Sequence, residues 1–177
     1  MRPLIQDAAA FASFAHGSIG QKRKYTEEPY IMHPAAVAAI AAVADLSNEA
    51  IAAAWLHDVV EDTPVSLSEI AERFGVKVAE YVDFLTDNTT PEDGNRASRK
   101  AITLARLAAA PREVKTIKLA DLIHNVGTIV RHDPEFAQVY LPEKQALLEV
   151  LRGGDPILWQ RARTLISEGL AAIDSSL

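Results

Sequence analysis

The chain has 177 residues, enough for one domain with a real core. Eighteen basic against 24 acidic side chains leave a formal charge of −6, which excludes a broad basic surface for nucleic acid. The absence of cysteine excludes disulfides, thiolate zinc sites and cysteine nucleophiles, and it fits a reducing, cytoplasmic setting.

Nearly every segment reads as helix. Residues 4–15 place Leu4, Ile5, Ala8, Phe11 and Ala12 on one face and stop at His16-Gly17. Asp7 interrupts what would be a signal core, so residues 1–10 read as helix and not as a signal peptide. Residues 16–33 form a loop carrying Lys22-Arg23-Lys24. Pro34 opens the next helix at its favoured first position, running to about Ala44, and that apolar run is too short for a bilayer. Ser47 caps a central helix expected to continue to Asp62, where Pro64 stops it. Ser66 with Glu69 is a capping box for a helix ending near Gly75, and residues 76–85 form another. Residues 86–95 are polar, with Pro91 and Gly94, and are the best candidate for a mobile loop. Residues 96–110 and 111–130 are two further helices. Asp133-Pro134 and Asp155-Pro156 are cap-plus-first-turn signals, and Pro142 is expected to break or restart the helix that ends near Leu151. The last helix reaches about Ile173. No alternating strand or repeat is found, so the expected class is all-α, in one domain over residues 1–177.

The stretch at 55–62, Trp-Leu-His-Asp-Val-Val-Glu-Asp, dominates the chemistry. On a helix, positions four apart nearly overlap, so His57 lies under Glu61 and Asp58 under Asp62. This polar stripe follows a solid apolar run. Carboxylates in such a setting are neutralised, paired or bound to a cation. A cation held by His57 and Asp58 would leave Glu61 and Asp62 to act on a water or a leaving group beside it. His33 precedes an apolar helix, and Asp121 sits among Leu119, Leu122 and Ile123. With His57-Asp58 they make two imidazoles and two carboxylates, a set suited to Mn, Fe, Zn or Ni.

These residues belong to a longer pattern. It comprises Ala15-His16, Gly20-Gln21, Arg23-Lys24, Glu28-Pro29-Tyr30-Ile31-x-His33-Pro34, Leu56-His57-Asp58-Val59-Val60-Glu61-Asp62-Thr63-Pro64, Phe74-Gly75-x-x-Val78, Leu85-Thr86-Asp87, Lys118-Leu119-Ala120-Asp121 and His124-Asn125. In this order, over roughly residues 11–130, it resembles the HD-domain hydrolases of the RelA/SpoT type and their single-domain small alarmone hydrolase relatives.

The resemblance implies an HD-domain helical bundle with one metal site between helices. It implies His33, His57, Asp58 and Asp121 as ligands of one ion, Mn²⁺ in relatives, and Glu61 and Asp62 as the catalytic pair. Arg23 and Lys24 match residues that meet base and phosphates, and Asn125 and Thr128 match positions near ribose and base. The implied reaction removes the 3′-diphosphate of ppGpp or pppGpp, giving GDP or GTP and pyrophosphate. The expected partner is that small nucleotide, with no nucleic acid and no membrane, and with no room for the synthetic domain of longer relatives. Four positions depart from the family pattern: Leu122 and Gly127 replace frequent basic residues, Glu27 stands where a turn glycine is common, and Phe84 replaces a frequent glycine.

Other polar and aromatic groups are read as structural. His16 is a structural hydrogen-bonding histidine, His124 a residue of the pocket rim or one that supports the ligands from behind, His132 a surface residue, and Trp55 and Trp159 core. Arg96, Arg99 and Lys100 could reach a phosphate, but read first as a solvated helix face. Two rival functions are kept: the same site acting on another nucleotide or on NADPH, and a non-catalytic nucleotide-binding or scaffold module.

Overall fold

The computed structural model describes residues 4–174; the reading of Met1, Arg2 and Pro3 lies outside them. Among the described residues ten α-helices follow one another: α1 Leu4–Ser18, α2 Met32–Ala41, α3 Asn48–Leu56, α4 Val59–Asp62, α5 Leu67–Phe74, α6 Val76–Leu85, α7 Arg96–Ala109, α8 Arg112–His132, α9 Pro134–Val150 and α10 Pro156–Asp174. Among the described residues no strand forms; the one strand-like feature is an isolated antiparallel bridge between Lys22 and Pro29.

Two helices organise the bundle. The first, α3, packs on α1, α2, α6 and α8. Its Ala50, Ala52, Ala53 and Ala54 are fully buried, and small side chains let those neighbours approach closely. The second, α8, packs on α2, α6, α9 and α10 and buries Val114, Ile117, Leu119, Ala120, Leu122 and Val126. Polar groups on α8 that face α2 and α3 are therefore carried into the centre of the molecule.

The caps form where the side chains call for them. Ser47 Oγ accepts from the Ala50 amide at 3.2 Å, Ser66 Oγ from Glu69 at 3.2 Å, and Asp133 Oδ1 from Phe136 at 3.1 Å. Helix α1 runs to Ser18, past the expected stop at His16-Gly17. Helix α2 starts two residues before Pro34, which puts His33 in its first turn, and it ends at Ala41, short of the expected Ala44.

Two expectations are corrected. The central helix does not run unbroken to Asp62: α3 ends at Leu56, His57 is its C-cap, and Asp58 at φ −101°, ψ −3° carries the chain into the short α4. Pro142 does not break its helix, because α9 continues through it. Pro142 is exposed, so the carbonyl it leaves without an amide partner lies on the wet side. On the other side Leu141, Leu147 and Leu148 are buried and hold the helix by packing.

Candidate metal centre and active-site cleft

The break after Leu56 has a chemical consequence. On a straight helix, neighbouring side chains point about 100° apart and cannot share a target. The turn at residues 57–58 lets His57 Nε2 and Asp58 Oδ2 come within 3.0 Å. From the start of α2, His33 Nε2 reaches 3.3 Å from His57 Nε2 and 3.4 Å from Asp58 Oδ2. From α8, Asp121 Oδ1 lies 3.2 Å from His33 Nε2 and 4.0 Å from His57 Nε2. The structure thus brings three of the four sequence-proposed donors, His33, His57 and Asp58, within 4.8 Å of one another and sets Asp121 beside the two histidines, with both histidines 1% exposed and Asp121 7% exposed.

The hydrogen bonds behind the donors set their tautomers. His57 Nδ1 lies 2.8 Å from the Ala54 carbonyl oxygen, which only accepts. The proton is therefore on Nδ1, so in the neutral form of His57 it is the Nε2 lone pair that turns inward. His33 Nδ1 lies 2.8 Å from His124 Nδ1. Burial, then the neighbouring His33 and Arg23, push His124 down to about 4, so it is neutral and fit to accept that proton. Two imidazole lone pairs and two carboxylates then face each other, a donor set that one divalent cation suits. A proton competes for the same lone pairs. Burial opposes charge on His57, but Asp58 and Asp121 outweigh it and raise His57 to about 9.

The aspartates are held in turn. Tyr30 donates to Asp58 Oδ2 at 2.6 Å. Lys118 donates to Asp121 Oδ2 at 2.8 Å and Asn125 to Asp121 Oδ1 at 2.6 Å. Burial works against the Asp121 charge, yet Lys118 and the two histidines keep its carboxyl well below the ordinary range. Arg23 donates to Asn125 Oδ1 at 3.2 Å and stands 5.9 Å from the Tyr30 ring centre. Thr128 lies one turn on and donates to the His124 carbonyl at 3.0 Å. Lys24 is placed differently. It donates to Tyr25 at 3.1 Å and stands 3.7 Å from Asp133, with its side chain 74% exposed.

Glu61 and Asp62 lie on α4, one turn beyond the donors. Glu61 lines a cavity of about 270 Å³ together with Lys100, Lys118, Lys144 and Glu143. Desolvation pushes the Glu61 carboxyl up, against the Asp87 amide that donates to it at 3.1 Å. Burial pushes Lys144 down to about 8, helped by the charge on Lys118. Lys100 lines this cleft, where it pairs with Glu143; Arg96, its side chain 63% exposed, reaches the same Glu143 at 3.1 Å from outside the lining. Sequence reasoning missed Tyr30, Lys118 and Lys144 as parts of the site. The three-residue spacing from Lys118 to Asp121 was the available signal for one of them; Lys144 carried none.

The four departures are also located. Glu27 has φ +56°, the left-handed conformation that explains why glycine is common there. A Cβ added at Gly127 would meet nothing within 4 Å. Leu122 is a core residue, and Phe84 lines the 270 Å³ cleft.

An all-helical bundle that gathers His33, His57 and Asp58, with Asp121 beside the histidines, defines the class of folds built around a histidine–aspartate pair. The chain belongs to the HD domain family, which matches residues 8–151. It is 34% identical over 168 residues to the guanosine-3′,5′-bis(diphosphate) 3′-pyrophosphohydrolase MESH1 of Xenopus tropicalis, covering 88% of each chain. It is 41% identical over 105 residues to a protein of Haemophilus influenzae with the same enzyme name, covering 58% of this chain and 16% of that one. Over 125 residues it is 40% identical to the Aquifex aeolicus enzyme so named, of which it spans 18%. The solved structure of a metazoan ortholog of SpoT, described as hydrolysing ppGpp, superposes with a TM-score of 0.84 at 27% identity, covering 95% of this chain and 96% of that one. Among the described residues no helix is long and apolar enough to cross a membrane.

Proposed function

We propose that the chain is a metal-dependent 3′-pyrophosphohydrolase that converts ppGpp or pppGpp to GDP or GTP and pyrophosphate. The observation that carries this is the clustering of His33, His57 and Asp58 with Asp121 beside the two histidines, and with Glu61 one turn away lining a cleft that also holds three lysines. The relatives' names supply the substrate, and MESH1 is matched over 88% of its length. In this reading residues 1–177 are one cytoplasmic hydrolase domain.

His33, His57, Asp58 and Asp121 would hold one divalent ion, with Mn²⁺ the first choice. When bound, the ion supplies Lewis acidity, lowering the pKa of a water and offsetting charge on the phosphoryl oxygens. The chain's own groups do the rest. Glu61, whose carboxyl is pushed up, holds a proton more readily than an ordinary glutamate and delivers it to the leaving 3′-oxygen. Asp62 orients the attacking water and takes its proton. Lys100, Lys118 and Lys144 face the phosphate chain, and Arg23 and Asn125 meet the nucleoside side.

Purified protein incubated with ppGpp and Mn²⁺, with an EDTA control, should yield GDP and intact pyrophosphate. Absence of turnover by metal-loaded protein would refute the reading. A second reading, another phosphate ester or NADPH at the same centre, is favoured by Gly127. The space beside it is a cavity of about 430 Å³ lined by Thr26, His124, Thr128 and Arg131 among others. NADPH and deoxynucleotides in the same assay discriminate the two.

A further inference from the structure

Asp62 is the last residue of a four-residue helix and is exposed. One turn of helix leaves an exposed carboxylate free to take several rotamers, so α4 by itself does not aim it. The contact that does comes from the loop after α1: Gln21 Nε2 donates to Asp62 Oδ2 at 2.9 Å. A carboxylate only accepts, so the amide nitrogen must face Asp62 and the amide oxygen must face the other way. There His16 Nδ1 lies 2.7 Å from Gln21 Oε1. That oxygen also only accepts, so His16 carries its proton on Nδ1 and fixes which way the amide is turned.

The backbone places Gln21 as firmly. Helix α1 ends in a paired turn: the Gln21 amide donates to the His16 carbonyl at 3.1 Å, and the Gly20 amide donates to Gly17 at 3.0 Å. Gly20 at φ +64° makes this turn possible. Across the loop the Tyr30 amide donates to the Gln21 carbonyl at 3.0 Å. Behind it, His16 is 1% exposed and its ring centre lies 4.8 Å from that of Tyr30.

We propose that Gln21 is a positioning residue: held by His16, it fixes the orientation of the Asp62 carboxylate for the reaction. The proposal rests on the reading of Asp62 as one of the two acids that act on substrate. Its side-chain bonds run to His16 and Asp62, so its loss acts on turnover and leaves the ion and the nucleotide in place.

Gln21→Glu is the discriminating variant. It keeps the length and the acceptor for His16, and so the tie within the loop, but it sets a carboxylate against Asp62. In Mn²⁺-loaded protein with ppGpp, kcat should fall at least about tenfold with KM within about twofold, the split expected when an aimed group is misplaced. Metal per chain should be unchanged. Near-normal kcat overturns the proposal, as does a loss carried by KM or by metal content. Gln21→Met, which keeps the length and removes both bonds, is read by the same criteria if Gln21→Glu does not fold. Asp62→Asn is assayed alongside. If it turns over normally, the reading of Asp62 fails and the role of Gln21 falls with it. A slow Asp62→Asn beside a normal Gln21→Glu overturns the role of Gln21 alone.

Discussion

Replacing Asp121 by alanine removes two things at once. It deletes the donor that α8 contributes, Oδ1 at 3.2 Å from His33 Nε2. It also strips Lys118 of the carboxylate 2.8 Å from its ammonium, which holds the Lys118 charge in place against burial. Breaking a buried ion pair costs about 3–5 kcal/mol. The Lys118 side chain is 23% exposed and can reach water in the cleft. The expected loss is therefore smaller, about 2 kcal/mol, or roughly 4–8 °C of melting temperature for a chain of this size. The metal adds a second, separable effect. An ion present at a hundredfold over its Kd stabilises the fold by about 2.7 kcal/mol, roughly 5–11 °C. Melting curves with Mn²⁺ and with EDTA, and metal content per chain after gel filtration, read both. The native chain should show the metal-dependent rise; Asp121→Ala should melt lower and show none. Asp121→Ala that keeps one ion per chain and the full metal-dependent rise would refute the four-donor centre.

Three further outcomes are expected. Glu61→Gln should keep its metal and lose at least about a hundredfold in kcat, the scale of a positioned acid or base; near-normal turnover would remove Glu61 from the chemistry. Lys144, pushed down to about 8, carries its charge below that pH and loses it above. KM for ppGpp should therefore climb as pH rises through about 8, and Lys144→Arg should flatten the climb; a KM that ignores pH there sinks the role of Lys144. Glu27→Gly should stabilise the chain by about 0.5–1 kcal/mol in urea melts, because glycine relieves a left-handed φ of +56° at some cost in unfolded-chain entropy; a destabilised variant would mean the Glu27 side chain contributes more than its backbone costs.

The proposed ligand set was legible because it is written in residue types out of place: His33, His57-Asp58 and Asp121 are polar groups embedded in apolar helices. The supporting groups were harder. Gln21, Tyr30 and Lys118 stood inside the matched pattern, but nothing local says that an amide must meet Asp62 or a phenol Asp58. Lys100 misled for a related reason. It follows a polar loop on a helix with exposed faces, and only the packing of α7 on α9 turns it toward Glu143 and the cleft.

By itself the sequence determined the helical class and most helix ends, because caps and prolines act over three or four residues. Ser47, Ser66 and Asp133 cap where their side chains can reach an orphan amide. Only the tertiary structure decided the break after Leu56, the passage of α9 through Pro142 and the meeting of α2, α3 and α8. Each of these is set by burial against elements distant in the chain. His57 and Asp58 can face one point only if the helix unwinds between them, and the neighbours that make unwinding worthwhile, His33 and Asp121, arrive from other helices.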